Sequence, residues 1–253
     1  MNVTVRALTT EEARWLTAAR LVAIEHAPYL AHALFATRSV AAESLGTFAV
    51  DRHWRLYLDP STLAAWGPQL AGGVLVHEVG HLVRAHAERA DALGADRDHE
   101  RWNVAADAAL NDDLIEAGVP LPEGVVTPGG LGLAAGGIEE AYYAALAPRQ
   151  RPAMPDAASC GSGAGDPSAS WELPSDDPTA PGIGPADASM TRAAGNAGRT
   201  RPWPDPPLPG GGCWPRPYGG RSPTPPAATT TPTAGPPAAA SRAWSRRPCA
   251  DRW

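Results

Sequence analysis

Lysine is absent from this chain of 253 residues, and other shortages bound it as firmly. Its three cysteines, Cys160, Cys213 and Cys249, are odd in number and lack ligand-like spacing. That argues against a disulfide framework and against a cysteine-built zinc site. No run of 18 apolar residues occurs, and the amino-terminal MNVTVRALTTEEARW has no apolar signal-like core. A soluble cytoplasmic protein without membrane contact is the expectation. Positive charge is also short: residues 1–147 carry 10 Arg against 19 acidic residues, a formal charge of −9. An acidic surface is a poor electrostatic match for nucleic acid.

Apolar residues run out near residue 147. Of the 28 Pro, 22 lie beyond it, and the following 106 residues hold only Leu173, Ile183 and Leu208 among Leu, Ile, Val and Phe. So few cannot bury a core of their own. One folded domain, 1–147, is expected. A Gly/Ser/Pro-rich linker, 148–198, and a disordered Pro/Arg-rich tail, 199–253, should follow it.

Within the domain, Thr9 and Glu12 form a capping box ahead of a helix that stops near His26, before Pro28. A second helical piece runs from Tyr29 to about Arg38. Residues 47–58, TFAVDRHWRLYL, change to a period of two and predict a β-hairpin around Asp51, Arg52 and His53. Such a hairpin is either plain structure or an edge strand to which an extended peptide adds. Helices are expected over roughly 68–90 and 99–116, the second ended by Gly118 and Pro120. The Pro/Gly-rich loop 118–137 is long enough to be a flap over a cleft or a mobile surface segment, and a short helix follows over 138–147.

The string His77-Glu78-Val79-Gly80-His81 carries the most chemistry. Residues four apart share one face of a helix, so His77 and His81 can offer two imidazoles to one ion, with Glu78 beside them. Zinc suits such donors, taking three protein ligands and a water in catalytic sites. A neighbouring carboxylate then accepts a proton from that water. His86, nine residues after His77, falls on the apolar side of a continuous helix. With no Gly or Pro after His81 to break that helix, it reads as a core histidine with a hydrogen-bond partner.

On the following helix Asn103, Asp107 and Asn111 recur every four residues and form a polar stripe on an otherwise apolar surface. Buried polar groups need partners. Asp107 is therefore the candidate third ligand, with Asn103 and Asn111 orienting it. Glu88, Glu100, Asp112 and Asp113 are competitors, and an Asp107 held by Arg84 or Arg101 is the structural alternative.

HEVGH followed by RWNVAADAALNDDL, GVPLPEG, the IEEAYYAAL helix, the VDRHWRLYLDP hairpin and SCGSGAGD at 159–166 resembles the metallopeptidase domain found ahead of a von Willebrand A-like domain in bacterial proteins. The resemblance covers about residues 5–165. It implies an α+β, zincin-like, helix-rich domain with a small antiparallel sheet. It further implies one zinc ion on His77, His81 and Asp107, Glu78 as general base, and a protein or peptide substrate. Members also look like companions of AAA-type ring ATPases, so a catalytically silent metal-binding adaptor is the alternative.

The von Willebrand A-like part is missing: the tail shows neither alternating strands and helices nor an Asp-x-Ser-x-Ser site. A frame-shifted GC-rich reading accounts for the tail, a Pro-rich partner-binding arm being the competitor. Translating the gene in its other two frames should expose a von Willebrand-like continuation; two closed frames would end the frame-shift explanation.

Overall fold

The computed structural model describes residues 2–146 and 160–197. The expected tail over 199–253 lies outside the described residues, as does the first part of the expected linker.

Eleven helices and strands are considered, in chain order β1 Thr4–Arg6, α1 Thr10–His26, α2 Ala31–Ala36, β2 Arg38–Glu43, β3 Phe48–Val50, β4 Arg55–Leu58, α3 Pro60–Val83, α4 His86–Ala92, α5 His99–Glu116, α6 Glu139–Ala145 and α7 Pro185–Ala197. Helix α1 begins at the capping box that its sequence spells. Thr9 Oγ1 accepts from the Glu12 amide at 3.2 Å, and Glu12 Oε2 accepts from the Thr9 amide at 2.8 Å. Two of the orphan amides at the helix start are thereby satisfied. Leu16, Ala19, Val22 and Ala23 recur at helical spacing and are buried. None of the helices among the described residues is long and apolar enough to cross a membrane.

The chain is helix-rich with a small sheet, an α+β arrangement, but the sheet is mixed rather than antiparallel. Its order is β1, β2, β4, β3. The β3–β4 hairpin is antiparallel, with Phe48 opposite Leu58 and Val50 opposite Leu56. Because β4 returns from that hairpin into the place beside β2, it runs parallel to β2, while β1 pairs with β2 antiparallel. Strand β2, RSVAAE, is rich in Ala and carries little β signal. That weak signal accounts for the missed parallel pair.

Alternation along the hairpin divides the sheet between two apolar layers. Phe48, Val50, Leu56 and Leu58 join the main core with α1, α3 and α5 residues such as Leu16, Leu75, Val79 and Leu110. Ala49 and Tyr57 face the other way, onto Val40, Ala42 and Ala180, with Trp171 and Leu173 packed against them. Trp171, Leu173 and Ala180 thus cover the second face of the sheet, and Ile183 and Ala188 join the main core, although composition placed them in a linker. A segment too poor in apolar side chains to build a core can still complete an existing one.

Arg55 fastens this segment. Fully buried, its guanidinium group donates to the carbonyls of Ala180, Leu173 and Pro174, each at 2.7 Å, and pairs with Asp51 at 3.2 Å. A buried cation with so many acceptors meets the desolvation requirement that an unpaired one would fail.

The α3 span starts at Pro60, capped by Asp59, whose side chain accepts from the Ser61 amide at 2.9 Å, and the part that carries His77 begins at Pro68, as its sequence indicates. It is kinked at Gly67 (φ 63°), just before Pro68. Nor is it continuous to residue 90. Ala85 takes a left-handed conformation, φ 55°, and α4 restarts at His86. The break needs neither Gly nor Pro, which is why sequence signals for helix ends do not reveal it.

Two α3 glycines let neighbouring chain approach closely. A Cβ at Gly73 would stand 1.6 Å from the carbonyl oxygen of Pro120, whereas one at Gly80 would meet the Leu110 Cδ1 methyl at 2.8 Å. Backbone cannot retreat as a side-chain tip can. Gly73→Ala should therefore destabilise the fold by roughly 1–3 kcal/mol. Gly80→Ala, where a gain in helix propensity of up to ~1 kcal/mol opposes the contact, should change stability less. Equal denaturation midpoints for the two variants would contradict this packing argument.

Candidate metal centre

The buried half of α3 carries His77 and Glu78 to the floor of a cleft of about 290 Å³, with His81 fully buried one helical turn further on. Asp107 and Asn111 of α5 form another wall, Gly46, Thr47 and Phe48 border it at β3, and residues 121–126 of the long loop close one side. That loop is therefore part of the cleft wall. Cys160, at the start of the segment fastened by Arg55, completes the lining.

Four donor groups meet here. One ligand atom each from His77, His81, Asp107 and Cys160 lie within 4.8 Å of one another, a set that could hold a metal ion. The two imidazole Nε2 atoms are 3.0 Å apart. Asp107 Oδ1 lies 3.7 Å from His77 Nε2 and 3.3 Å from His81 Nε2. The Cys160 Sγ atom is 3.5 Å from His77 Nε2 and 4.0 Å from Asp107 Oδ1.

The orientation of His77 is fixed from behind. Asn111 Nδ2 donates to the Val126 carbonyl at 2.9 Å, which turns its Oδ1 toward His77 Nδ1 at 2.8 Å. Nδ1 must then carry the proton, leaving Nε2 with a bare lone pair directed into the cluster. Burial first, then the neighbouring His81, lowers the His77 pKa to about 4, so the ring is neutral near pH 7. A neutral imidazole nitrogen facing a second nitrogen and a carboxylate oxygen at these distances fits a cation among them. Without one, these electron-rich atoms repel.

Asn111 therefore orients His77, and not Asp107 as the every-fourth-residue stripe suggested. The carbonyl oxygen of Asn103 is buried without a hydrogen-bond partner. Three of the four competing acids are engaged elsewhere: Asp113 with Arg84 at 2.5 Å, Glu88 with Arg192 at 2.5 Å, and Asp112 with the Gly136 amide at 2.6 Å.

Burial and the Asp107 charge push the Glu78 carboxyl well above its ordinary range. Its Oε2 is buried without a hydrogen-bond partner. Asp107 itself is raised, chiefly by burial. A carboxylate kept dry, unpartnered on one oxygen and next to a donor cluster is suited to proton transfer.

His86 departs from its expected place. It is fully buried and hydrogen-bonded, but the turn at Ala85 swings it away from the apolar side of α3 and toward His81. His86 Nδ1 lies 2.7 Å from His81 Nδ1, and His86 Nε2 lies 2.9 Å from Glu139 Oε1. Glu139 also accepts from Arg89 at 2.7 Å and Arg84 at 3.1 Å. Against the cost of burial, the Arg89 charge leads the interactions that hold Glu139 well below the usual carboxylate range.

Sequence spacing missed Cys160 because its chain neighbours carry no second ligand. The signal available was its position within SCGSGAGD, a glycine-rich stretch lying among the recognisable motifs. Desolvation, then the Asp107 and Glu78 charges, raises the Cys160 thiol well above its ordinary pKa. In metal-free protein carrying Ser at positions 213 and 249, alkylation at pH 8 should be at least roughly tenfold slower than that of an unperturbed thiol. Asp107→Asn should accelerate it, and a rate equal to free cysteine would contradict the site's electrostatics.

The model of one protein family, described as "Putative metallopeptidase domain", matches residues 11–201 of the chain. No curated protein and no solved structure matches it.

Proposed function

The chain belongs to the putative metallopeptidase domain family, and on that premise we propose that it is a peptidase using one zinc ion held by His77, His81 and Asp107. The observation that carries this reading is the convergence of their donor atoms, with that of Cys160, within 4.8 Å. A zincin-type arrangement accords with a metal-bearing helix next to a sheet whose edge strand borders the cleft. Bound zinc would supply Lewis-acid polarisation of the scissile carbonyl.

The remaining work falls to side chains of this chain. Glu78 accepts a proton from water as the water oxygen bonds to the carbonyl carbon. It returns that proton to the departing amine nitrogen as the C–N bond breaks. A cation among the donors would offset the Asp107 charge, one of the two causes that raise Glu78. That change favours the ionised carboxylate needed for the first transfer. An extended peptide is the fitting substrate, because β3 ends the sheet and, although the Cys160 carbonyl takes its Val50 amide at 2.9 Å, Phe48 lines the cleft. Main-chain hydrogen bonds would align it, and Trp66, Val74 and Leu121 offer its side chains an apolar wall.

One observation favours a second reading. With Cys160 as a fourth protein donor the cluster would be closed, and closed four-donor sets are characteristic of structural zinc. The domain would then be a metal-stabilised adaptor, with a ring ATPase as the kind of partner suggested by its resemblance.

Purified protein should contain stoichiometric zinc that His77→Ala loses. Glu78→Gln should keep the metal and lose peptide hydrolysis by about 10²–10⁴-fold. Zinc retained by Cys160→Ser together with hydrolysis supports the peptidase. A zinc-loaded wild type and Cys160→Ser variant that both fail to cleave a diverse peptide library would decide for the adaptor.

A further inference from the structure

We propose that His86 and Glu139 are positioning residues that fix the tautomer of His81 and so direct its Nε2 lone pair at the metal. The inference rests on the metal-centre reading above, but its argument comes from the hydrogen bonds behind the cluster.

Glu139 is the fixed end of the chain of contacts. Its carboxylate is buried between Arg89, at 2.7 Å, and Arg84, at 3.1 Å. Two guanidinium groups at such distances keep it ionised, and an ionised carboxylate only accepts hydrogen bonds. His86 Nε2, 2.9 Å from Glu139 Oε1, must therefore be the protonated nitrogen of that ring. In the neutral ring the other nitrogen, Nδ1, is then an acceptor.

The next contact follows by the same logic. His86 Nδ1 and His81 Nδ1 are 2.7 Å apart. Two bare nitrogens at that separation would repel, so His81 Nδ1 carries the proton and donates it. His81 Nε2 is left bare. It points to His77 Nε2 at 3.0 Å and to Asp107 Oδ1 at 3.3 Å. The reverse arrangement would place a lone pair of His86 against an ionised carboxylate and a proton on the His81 nitrogen that faces the donor cluster.

His81 is thus oriented by a relay of carboxylate, imidazole and imidazole, while His77 is oriented by a single amide, Asn111. The left-handed turn at Ala85 makes the relay possible, since a continuous α3 would carry His86 to the opposite side. Groups that bond the rear nitrogen of a ligating histidine fix its tautomer and raise its basicity, and their loss typically costs 10–100-fold in metal affinity.

The proposal is tested by zinc competition against a chromophoric chelator at constant pH, using wild type, His86→Leu and His86→Asn full-length chains. His86→Leu should bind zinc 10–100-fold more weakly. His86→Asn, whose side-chain oxygen can accept from His81 Nδ1, should recover most of that loss. Unchanged affinity in His86→Leu, with only a lower melting temperature of the metal-free protein, would reduce His86 to packing and overturn the proposal. An Asn variant no tighter than the Leu variant would overturn it as well.

Should the Leu variant fail to fold, the metal-free wild type still gives the answer through nitrogen NMR of its imidazoles. The expected spectrum has His81 protonated at Nδ1 and bare at Nε2; the opposite tautomer overturns the proposal. A wild type with that spectrum but no zinc affinity would remove the metal-centre reading and leave the hydrogen-bond relay standing.

Discussion

Electron-rich atoms brought together out of water are the constraint on which this structure depends. Two neutral imidazole nitrogens, a carboxylate oxygen and a sulfur crowd within 4.8 Å of one another beside the cleft. Each would be solvated or spread apart in an unconstrained chain. Their convergence is imposed from outside by elements whose own packing is ordinary: α3 in the apolar core and α5 against it. The energy that assembles the cluster comes from burying side chains such as Leu75, Val79, Leu110 and Leu114, none of which touches a reacting atom. Hydrophobic packing thus sustains a local electrostatic conflict that a cation is suited to relieve.

Behind the cluster the protein spends its polar groups in layers. Asn111 holds His77 and is itself held by a main-chain carbonyl. Glu139 holds His86 and is itself held by Arg84 and Arg89. In each case a group of ambiguous protonation is backed by one whose hydrogen-bonding role is fixed. This ordering matters because imidazole and amide side chains can otherwise turn over at little cost. The opposite side of the sheet follows the same rule: Arg55 holds several carbonyls of the covering segment and is balanced by Asp51.

Much of this was legible from residue order because it depends on local rules. Thr9 with Glu12 announces the start of α1, and the alternation of Phe48, Val50, Leu56 and Leu58 announces the hairpin. The spacing of His77 and His81 places both rings on one side of a helix, and the polar residue Asp107 on an Ala-rich helix marks a buried group that needs a partner. Features that depend on distant chain were not legible. Strand β2 earns its place only by lying between β1 and β4, and Cys160 reaches the cleft where its carbonyl accepts from the Val50 amide of β3. The turn at Ala85 is a third case: its residue type disfavours a left-handed backbone, so local propensity pointed the other way. There, tertiary contacts to His86 and α6 outweigh the preference of a single residue.

Gly73 shows how far such distant control extends. The loop residue it accommodates, Pro120, immediately precedes Leu121 and Pro122 in the cleft wall. The bore of the cleft is consequently gauged by an omission on the helix of His77 and His81: one absent carbon lets a loop settle inward. Family members that differ at this single position would be expected to differ in how wide a guest they admit, even if every residue lining the opening were the same.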